Sequence, residues 1–238
     1  MTDASIKDQL IAELDRCEGL RRRQFEDDLF HQRRLKLRAW QGGRLALTHR
    51  DLAANPRFAA AAKFFLGDLY GPRDLGAHIE EVRRIVPIMV KTLPASGLLT
   101  VARAVELDAL SEDLDGAMVE AIDERADRID NAVYAEAYLK VGRAEDRRRQ
   151  IDLIELLGGA LDALTHHRFI GATLKLMRKP AEMAGLGELQ SFLERGYVAF
   201  HHMRGGAGEF VSIIVWRERM LSDALLRGDI DTLPVEVG

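Results

Sequence analysis

Apolar residues recur at intervals of three and four positions along most of the chain, with polar residues between them. This is the period of an amphipathic helix that buries one face. Glycine and proline residues interrupt the pattern and divide it into segments. The sequence therefore predicts an all-α fold, a single bundle-like domain of about eight to ten helices. The clearest stripe contains six residues of one predicted helix: Leu153, Ile154, Leu156, Leu157, Leu161 and Leu164.

The first half of the chain offers identifiable helix limits. Residues 5–18 predict a first short helix, and residues 20–54 a longer one that Gly42-Gly43 weakens. Pro94 is well placed to open a later helix, because its fixed φ suits the first turn. Ser111 is expected to cap the helix after that one.

Residues 111–141 fit either one long helix or two. The apolar stripe of this region contains Met118, Ile122, Ile129 and Val133. The opposite side is rich in acidic residues and is expected to be a solvated face. That side carries Glu120, Asp123, Glu124, Asp127, Asn131, Tyr134 and Tyr138.

The chain is expected to form one helical domain over residues 1–238. Residues 1–54 are predicted to be an N-terminal helical arm that packs on residues 55–228. Such an arm can also project and pair with a second subunit. Residues 229–238 contain Pro234 and few helix formers, so we expect a frayed tail.

The densest cluster of large apolar residues runs from Phe64 to Tyr70 and is followed by Gly71-Pro72. A proline disfavours helical geometry in the residue before it, which predicts a helix end at this point. Phe64 lies on the small-residue side of that helix and predicts a second neighbour or an interface there. At the helix end, Tyr70, Arg73 and Asp74 are candidate ligand-binding residues.

The same stretch, Phe64-Phe65-Leu66-Gly67-Asp68-Leu69-Tyr70-Gly71-Pro72-Arg73-Asp74, resembles a motif of an uncharacterised family of bacterial all-helical proteins. The family motif is Phe-Phe-Leu-x-Asp-Leu-Tyr-Gly-Pro-x-Asp. The similarity runs from about Arg33 to Met220 and includes residues 48–56, residues 84–87 and Arg217-Glu218. It implies a bacterial, helical protein. The family has no known activity, so the resemblance implies nothing about chemistry.

Composition and charge narrow the classes of function. The chain has 238 residues, 47% hydrophobic and 30% charged, which is ordinary for a globular protein. The net charge of -4 argues against a nucleic-acid partner, because duplex-binding proteins are usually basic. The arginine runs 21–23 and 33–34 have acidic residues between them and predict a salt-bridged, solvated face.

Further features bear on redox chemistry and location. Cys17 is the one cysteine, which excludes an internal disulfide and a multi-cysteine metal site. Residues 1–5 lack the apolar region of a secretory signal, and no apolar run reaches the length of a membrane span. We therefore expect a cytoplasmic protein without a membrane partner.

The last predicted helix, residues 209–227, carries a charge in an unusual position. The apolar face of this helix, which is expected to be buried, contains Phe210, Ile213, Ile214, Met220, Leu221, Ala224 and Leu225. Arg217 projects from the middle of that face and Glu218 from its edge. A buried charge is costly unless it is paired, so Arg217 is expected to be at least half-buried and to meet a carboxylate. Asp68 and Asp74 are the candidate partners. The pairing is either structural or part of an anion site that contains Arg217 and Glu218.

A second constellation is a candidate metal site. Glu155, Asp162 and His166 lie on one side of the helix over residues 144–165. They lack the Glu-x-x-His spacing of di-iron bundles and the His-Glu-x-x-His of zinc proteases. A surface ladder of charges explains the same three residues.

Two classes of function remain open. The chain contains no catalytic motif such as Gly-x-Ser-x-Gly, and we predict no catalytic residue and no cofactor. The leading hypothesis is a non-enzymatic protein that acts through protein–protein contacts, as a homodimer and with a further protein partner. The alternative is a small-molecule (anion) or metal-binding protein, including an enzyme, with its site inside the bundle.

Overall fold

The computed structural model describes residues 3–69, 76–92, 94–123, 128–166 and 170–234. These ranges form eleven α-helices and one π-helical turn, and they contain no strand. The all-α, single-domain prediction is confirmed. The helices are α1 (Asp3–Glu26), α2 (Asp28–Thr48), α3 (Arg50–Ala54), α4 (Ala59–Phe64), α5 (Gly76–Thr92), α6 (Ala95–Ala121), α7 (Asn131–Val141), α8 (Ala144–Thr165), α9 (Ile170–Met183), α10 (Gly187–His202) and α11 (Ala207–Leu226), with the π-turn at Phe65–Leu69 between α4 and α5.

Two helix limits near the N-terminus differ from the prediction. The first helix does not stop near residue 18 but continues to Glu26. The second begins only after Asp27, whose side chain accepts a hydrogen bond from the Phe30 N–H at 2.9 Å. This carboxylate satisfies a main-chain donor of the first turn, which is what an N-cap residue does. The predicted break near residue 19 therefore lies at Asp27, and an additional break at His49 separates α3 from α2.

The middle of the chain also corrects the expected limits. Pro94 opens α6 as predicted. Ser111 does not cap a helix but lies inside α6, where its hydroxyl donates to the Leu107 carbonyl at 2.7 Å. Such back-bonding within a helix is the alternative role of a serine hydroxyl. The next helix, α7, is capped by Asp130, which accepts from the Val133 N–H at 2.9 Å.

Helix α1 does not project from the rest of the chain. It lies along α6, and its apolar stripe is buried against that helix and α5. The reason is the length of the stripe, which contains Ile6, Leu10, Leu14 and Cys17, all buried. Fully buried aliphatic side chains each contribute roughly 1.5–3 kcal/mol, so an arm with this stripe is more stable when packed.

The predicted cluster at Phe64 sits between two neighbours, as expected. Phe65 meets the Phe210 ring of α11 at a centroid distance of 6.5 Å. Phe64 points the other way, to Phe192 of α10 at 5.3 Å. A Cβ built on Gly196 of α10 would lie 3.0 Å from the Phe64 ring, so the two helices approach closely. The predicted site residues Tyr70, Arg73 and Asp74 lie outside the described residues.

The chain after α11 does not fray before Pro234. Leu233 is buried in the cluster formed by α2, α6, α7 and α11. The Asn131 side-chain amide donates to the Pro234 carbonyl at 3.1 Å. One buried leucine and one hydrogen bond are enough to hold a short segment without helical structure.

A charged layer is buried between α1, α2 and α6. At its centre Glu112 accepts hydrogen bonds from Arg34 on both carboxylate oxygens. Arg38 lies 3.5 Å from the same carboxylate, and Arg21 binds Asp108 at 2.8 Å. Burial raises the pKa of Asp108 despite the nearby Arg21. The layer fixes the relative positions of these three helices, because a buried charge is tolerated only in contact with its partner.

Candidate functional site

Three consecutive charged residues of α11, residues 217–219, each reach a different neighbouring helix. Successive residues of a helix point about 100° apart, so three in a row span about 200°, a little over half of its circumference. Arg217 forms two hydrogen bonds with Asp51 of α3, at 2.6 and 2.8 Å, and donates to the Thr48 carbonyl at 3.0 Å. The guanidinium lowers the pKa of the Asp51 carboxyl to about 2.

The prediction that Arg217 meets a carboxylate is confirmed, but the partner is not Asp68. Asp68 accepts from the Arg195 Nε at 2.9 Å and so belongs to the contact of the π-turn with α10. Asp74, the other predicted partner, lies outside the described residues. The side chain of Arg217 is 25% exposed, which agrees with the expected partial burial.

Glu218 is the more deeply placed of the two predicted residues, with a side chain 13% exposed. Both of its oxygens lie 2.7 Å from the Arg44 Nη1, and Oε1 lies 3.0 Å from the His49 Nε2. Burial acts to raise the pKa of Glu218, but Arg44 and His49 outweigh it and lower the pKa to about 2. The carboxylate can only accept, so the His49 Nε2 carries the proton in this contact.

Arg219 completes the set on the side of α8. Its Nη2 lies 2.8 Å from the Asp152 carboxylate and 2.7 Å from that of Glu155. Glu155, a predicted metal ligand, is therefore part of the contact between α8 and α11. His166 turns its Nδ1 to the Asp162 carbonyl at 2.8 Å and is exposed. Within the described residues, no group of three His, Cys, Asp or Glu side chains is arranged to hold a metal ion.

One further turn of α11 reaches α7. The Ser222 hydroxyl lies 2.8 Å from the Tyr138 hydroxyl. Burial raises the pKa of Tyr138, and the Arg147 guanidinium lies 4.5 Å from its ring centroid. Tyr134 stacks on Trp40 at 4.1 Å. Both tyrosines were expected on a solvated face and are instead buried.

These contacts leave one face of α11 uncovered. Trp216 and Met220, four residues apart, are 63% and 53% exposed. The sequence placed Met220 on the buried face, which is wrong. The charged contacts of residues 217–219 set the rotation of the helix, and that rotation turns Met220 to the outside with Trp216. Tryptophan is rarely this exposed without a partner, because its large apolar surface is costly in water.

The uncovered face of α11 carries two large apolar side chains beside charged residues that are already paired. The charged side chains of residues 217–219 are already bound to partners on α2, α3 and α8. The uncovered face beside them contains the indole of Trp216 and the thioether of Met220, together with the exposed polar residues Ser212 and Asp223. Arg217 and Glu218, which the sequence offered as ligand-binding residues, are engaged with α2 and α3, while Trp216 and Met220 face outward. A tryptophan and a methionine at i and i+4 were the sequence signal for this face.

None of the described helices combines the length and the apolar character needed to cross a bilayer.

Comparison with known proteins places the chain in a family. No curated protein and no solved structure matches the chain. One family model does match, over residues 20–232, and it therefore covers most of the sequence and all of α2 to α11. The chain belongs to the family described as domain of unknown function DUF8198.

Proposed function

We propose that this protein is non-enzymatic and acts through protein–protein contacts, self-associating as a homodimer through Trp216 and Met220 of α11. The observation that carries the proposal is the exposure of both side chains on a helix whose other faces are fixed. Tryptophan is the residue most enriched among those that dominate binding energy at interfaces, and methionine is also enriched there. The bacterial origin implied by the resemblance and the expected cytoplasmic location belong to the same proposal.

The contacts of α11 support binding with little loss of conformational freedom. Ordering a side chain or a helix at an interface weakens binding, and a surface that is already rigid avoids this cost. Ion pairs to α2, α3 and α8 restrain α11 on both sides of the uncovered face. A helical face that pairs with its own copy gives a two-fold interface, in which Trp216 of each copy covers the other.

The experiment measures mass in solution together with tryptophan fluorescence. Size-exclusion chromatography with light scattering is expected to give a dimer for the wild type and a monomer for Trp216→Ala with Met220→Glu. In a Trp40→Phe background, where Trp216 is the remaining tryptophan, emission is expected to shift to the blue as concentration rises. The matched control is Met183→Glu, which adds the same charge at an exposed methionine on α9 and is expected to remain dimeric. A wild-type monomer at all concentrations would contradict the proposal.

The alternative function, an anion site inside the bundle, has one observation in its favour. Arg147 is 5% exposed, and its Nε and Nη2 have no hydrogen-bond partner among the described residues. A buried guanidinium attracts oxyanions, because it donates in a fixed planar fork. Thermal unfolding in phosphate against chloride of equal ionic strength separates the two functions. Stabilisation by phosphate that is lost in Arg147→Met supports the anion site, and equal stability in both salts argues against it.

A further inference from the structure

A groove lies between α1 and α5, away from the exposed face of α11. Its volume is about 450 Å³. This is within the range of roughly 300–1,000 Å³ that is typical of small-molecule sites. The walls are apolar and the rim is cationic. The lining residues are Lys7, Ile11, Leu14, Arg83, Val86, Pro87, Val90 and Lys91.

The ion pairs between the two helices show that the two ends of the groove differ in charge. Arg83 of α5 binds Asp15 of α1 at 2.7 Å and also contacts Glu18. Its charge is therefore compensated at this end. Lys7 lies eight positions before Asp15, and Lys91 lies eight positions after Arg83. Because both lysines line the same groove, α1 and α5 run in opposite directions along it. Eight residues of helix span about 12 Å.

The two lysines mark the other end of the groove. Both are exposed, and neither has an ion pair within the part of the chain that the structure describes. Between this end and Arg83 the lining is aliphatic, with Leu14 and Val86 buried at the base. Pro87 adds to the apolar wall and has no N–H of its own to satisfy. Among the residues that the structure describes, this end of the groove therefore carries positive charge without an ion pair, and the apolar length beside it is about 12 Å.

We propose that this groove binds a linear acyl carboxylate, with its head at Lys7 and Lys91 and its chain along α1 and α5. A single anionic head and an unbranched apolar tail match the charge at one end and the aliphatic walls of the rest. An acidic amphipathic helix needs cations along the whole length of a groove, and the third cation of this groove is already compensated. The volume also fits a small molecule better than a helix of roughly 10–12 Å diameter.

The test titrates decanoate into the full-length protein by isothermal calorimetry. We expect saturable binding in the micromolar range, and binding of 1-decanol at least tenfold weaker. Lys7→Glu with Lys91→Glu is expected to weaken decanoate binding at least tenfold. The matched control is Lys63→Glu with Lys175→Glu, which changes the net charge equally at two exposed lysines elsewhere and is expected to bind as the wild type does.

A second measurement locates the ligand. Decanoate is expected to protect Lys7 and Lys91, but not Lys63, from acetylation read by mass spectrometry. The proposal is overturned by the absence of saturable binding, by equal loss in the two double variants, or by equal affinity for 1-decanol. It is also overturned if an acidic amphipathic peptide binds at these lysines and decanoate does not displace it.

Discussion

Two buried arginines show opposite relations to their surroundings. Arg34 is bound to the buried carboxylate of Glu112. Arg147 is equally buried, but its described contact is the ring of Tyr138, at 4.5 Å from the guanidinium carbon. Removing one member of a buried ion pair leaves the other charge unpaired in a medium of low polarity. The same truncation at Arg147 leaves no carboxylate partner behind among the residues that the structure describes.

We therefore expect Arg34→Met to cost about 3 kcal/mol of unfolding free energy, the lower end for a broken buried pair, because Arg38 still lies 3.5 Å from the Glu112 carboxylate. Arg147→Met is expected to change it by no more than about 1 kcal/mol, since the cation–π contact is lost while apolar volume is kept. Urea unfolding of the two variants followed by circular dichroism measures both values. Equal losses would show that Arg147 has a partner as important as Glu112.

The Glu218 carboxylate makes stability depend on pH. Its pKa falls from an ordinary 4.5 to about 2 in the folded protein, because Arg44 and His49 outweigh the effect of burial. A group with a lowered folded-state pKa stabilises above its unfolded pKa, and this contribution is lost as pH falls towards the folded pKa. The shift corresponds to about 3 kcal/mol.

Urea midpoints measured between roughly pH 6 and pH 2 are expected to fall as this contribution is lost. In Glu218→Gln the stability at neutral pH is expected to be lower and the decline with acid shallower, because no carboxylate remains to titrate at this position. The Asp51 pKa is also lowered to about 2, but its side chain is exposed and its contribution is expected to be small. An unchanged acid dependence in Glu218→Gln would contradict the assignment.

At this scale the sequence identified a charge in an apolar stripe but not its partner. Arg217 was recognisable because helical geometry alone places it on the apolar face. Asp51 lies 166 positions away in sequence, and no local pattern relates the two. His49 and Arg44 were missed for the same reason. Tyr134 and Tyr138 lie opposite the apolar stripe of residues 111–141, which predicts exposure, but both are buried.

Among the helices, α8 and α11 make a close contact in which a glycine is required. Arg219 meets Asp152 while Val211 meets Gly158, so the two helices run in opposite directions. A Cβ on Gly158 would overlap the methyl groups of Val211. Valine is stiff at χ1, and this one is buried, so it cannot turn away.

Gly158→Ala is therefore expected to destabilise by about 1–3 kcal/mol, although alanine favours a helix. Gly159→Ala is the matched control, because a Cβ there meets nothing within 4 Å. That variant is expected to stabilise by up to about 1 kcal/mol. Thermal unfolding measures the change in midpoint temperature for each variant. The two changes have opposite signs if the helix contact is as described, and the same sign if helix propensity alone decides.

Helix positions were largely predictable from the apolar stripes, and helix limits were not. A stripe of several turns is a repeated signal, which explains why α8 and α11 were placed nearly correctly. The end of a helix depends on one or two side chains, and the same residue type can cap a helix or bond within it. Asp27 caps α2 although it stands among other acidic residues, and Ser111 bonds within α6 although it resembles a cap.

For the molecule as a whole, the described helices bury several apolar clusters and still leave Trp216 and Met220 outside. If a second copy covers them, unfolding is coupled to dissociation and the midpoint temperature depends on protein concentration. A hundredfold increase in concentration then stabilises by about 3 kcal/mol, which raises the midpoint by several degrees for a chain of this size. Differential scanning calorimetry across that range is expected to show the rise in the wild type and in Met183→Glu. Trp216→Ala with Met220→Glu is expected to unfold at one temperature throughout, because a monomer has no dissociation step. A wild-type midpoint that does not change with concentration would leave the exposed face of α11 for a different protein partner and contradict self-association.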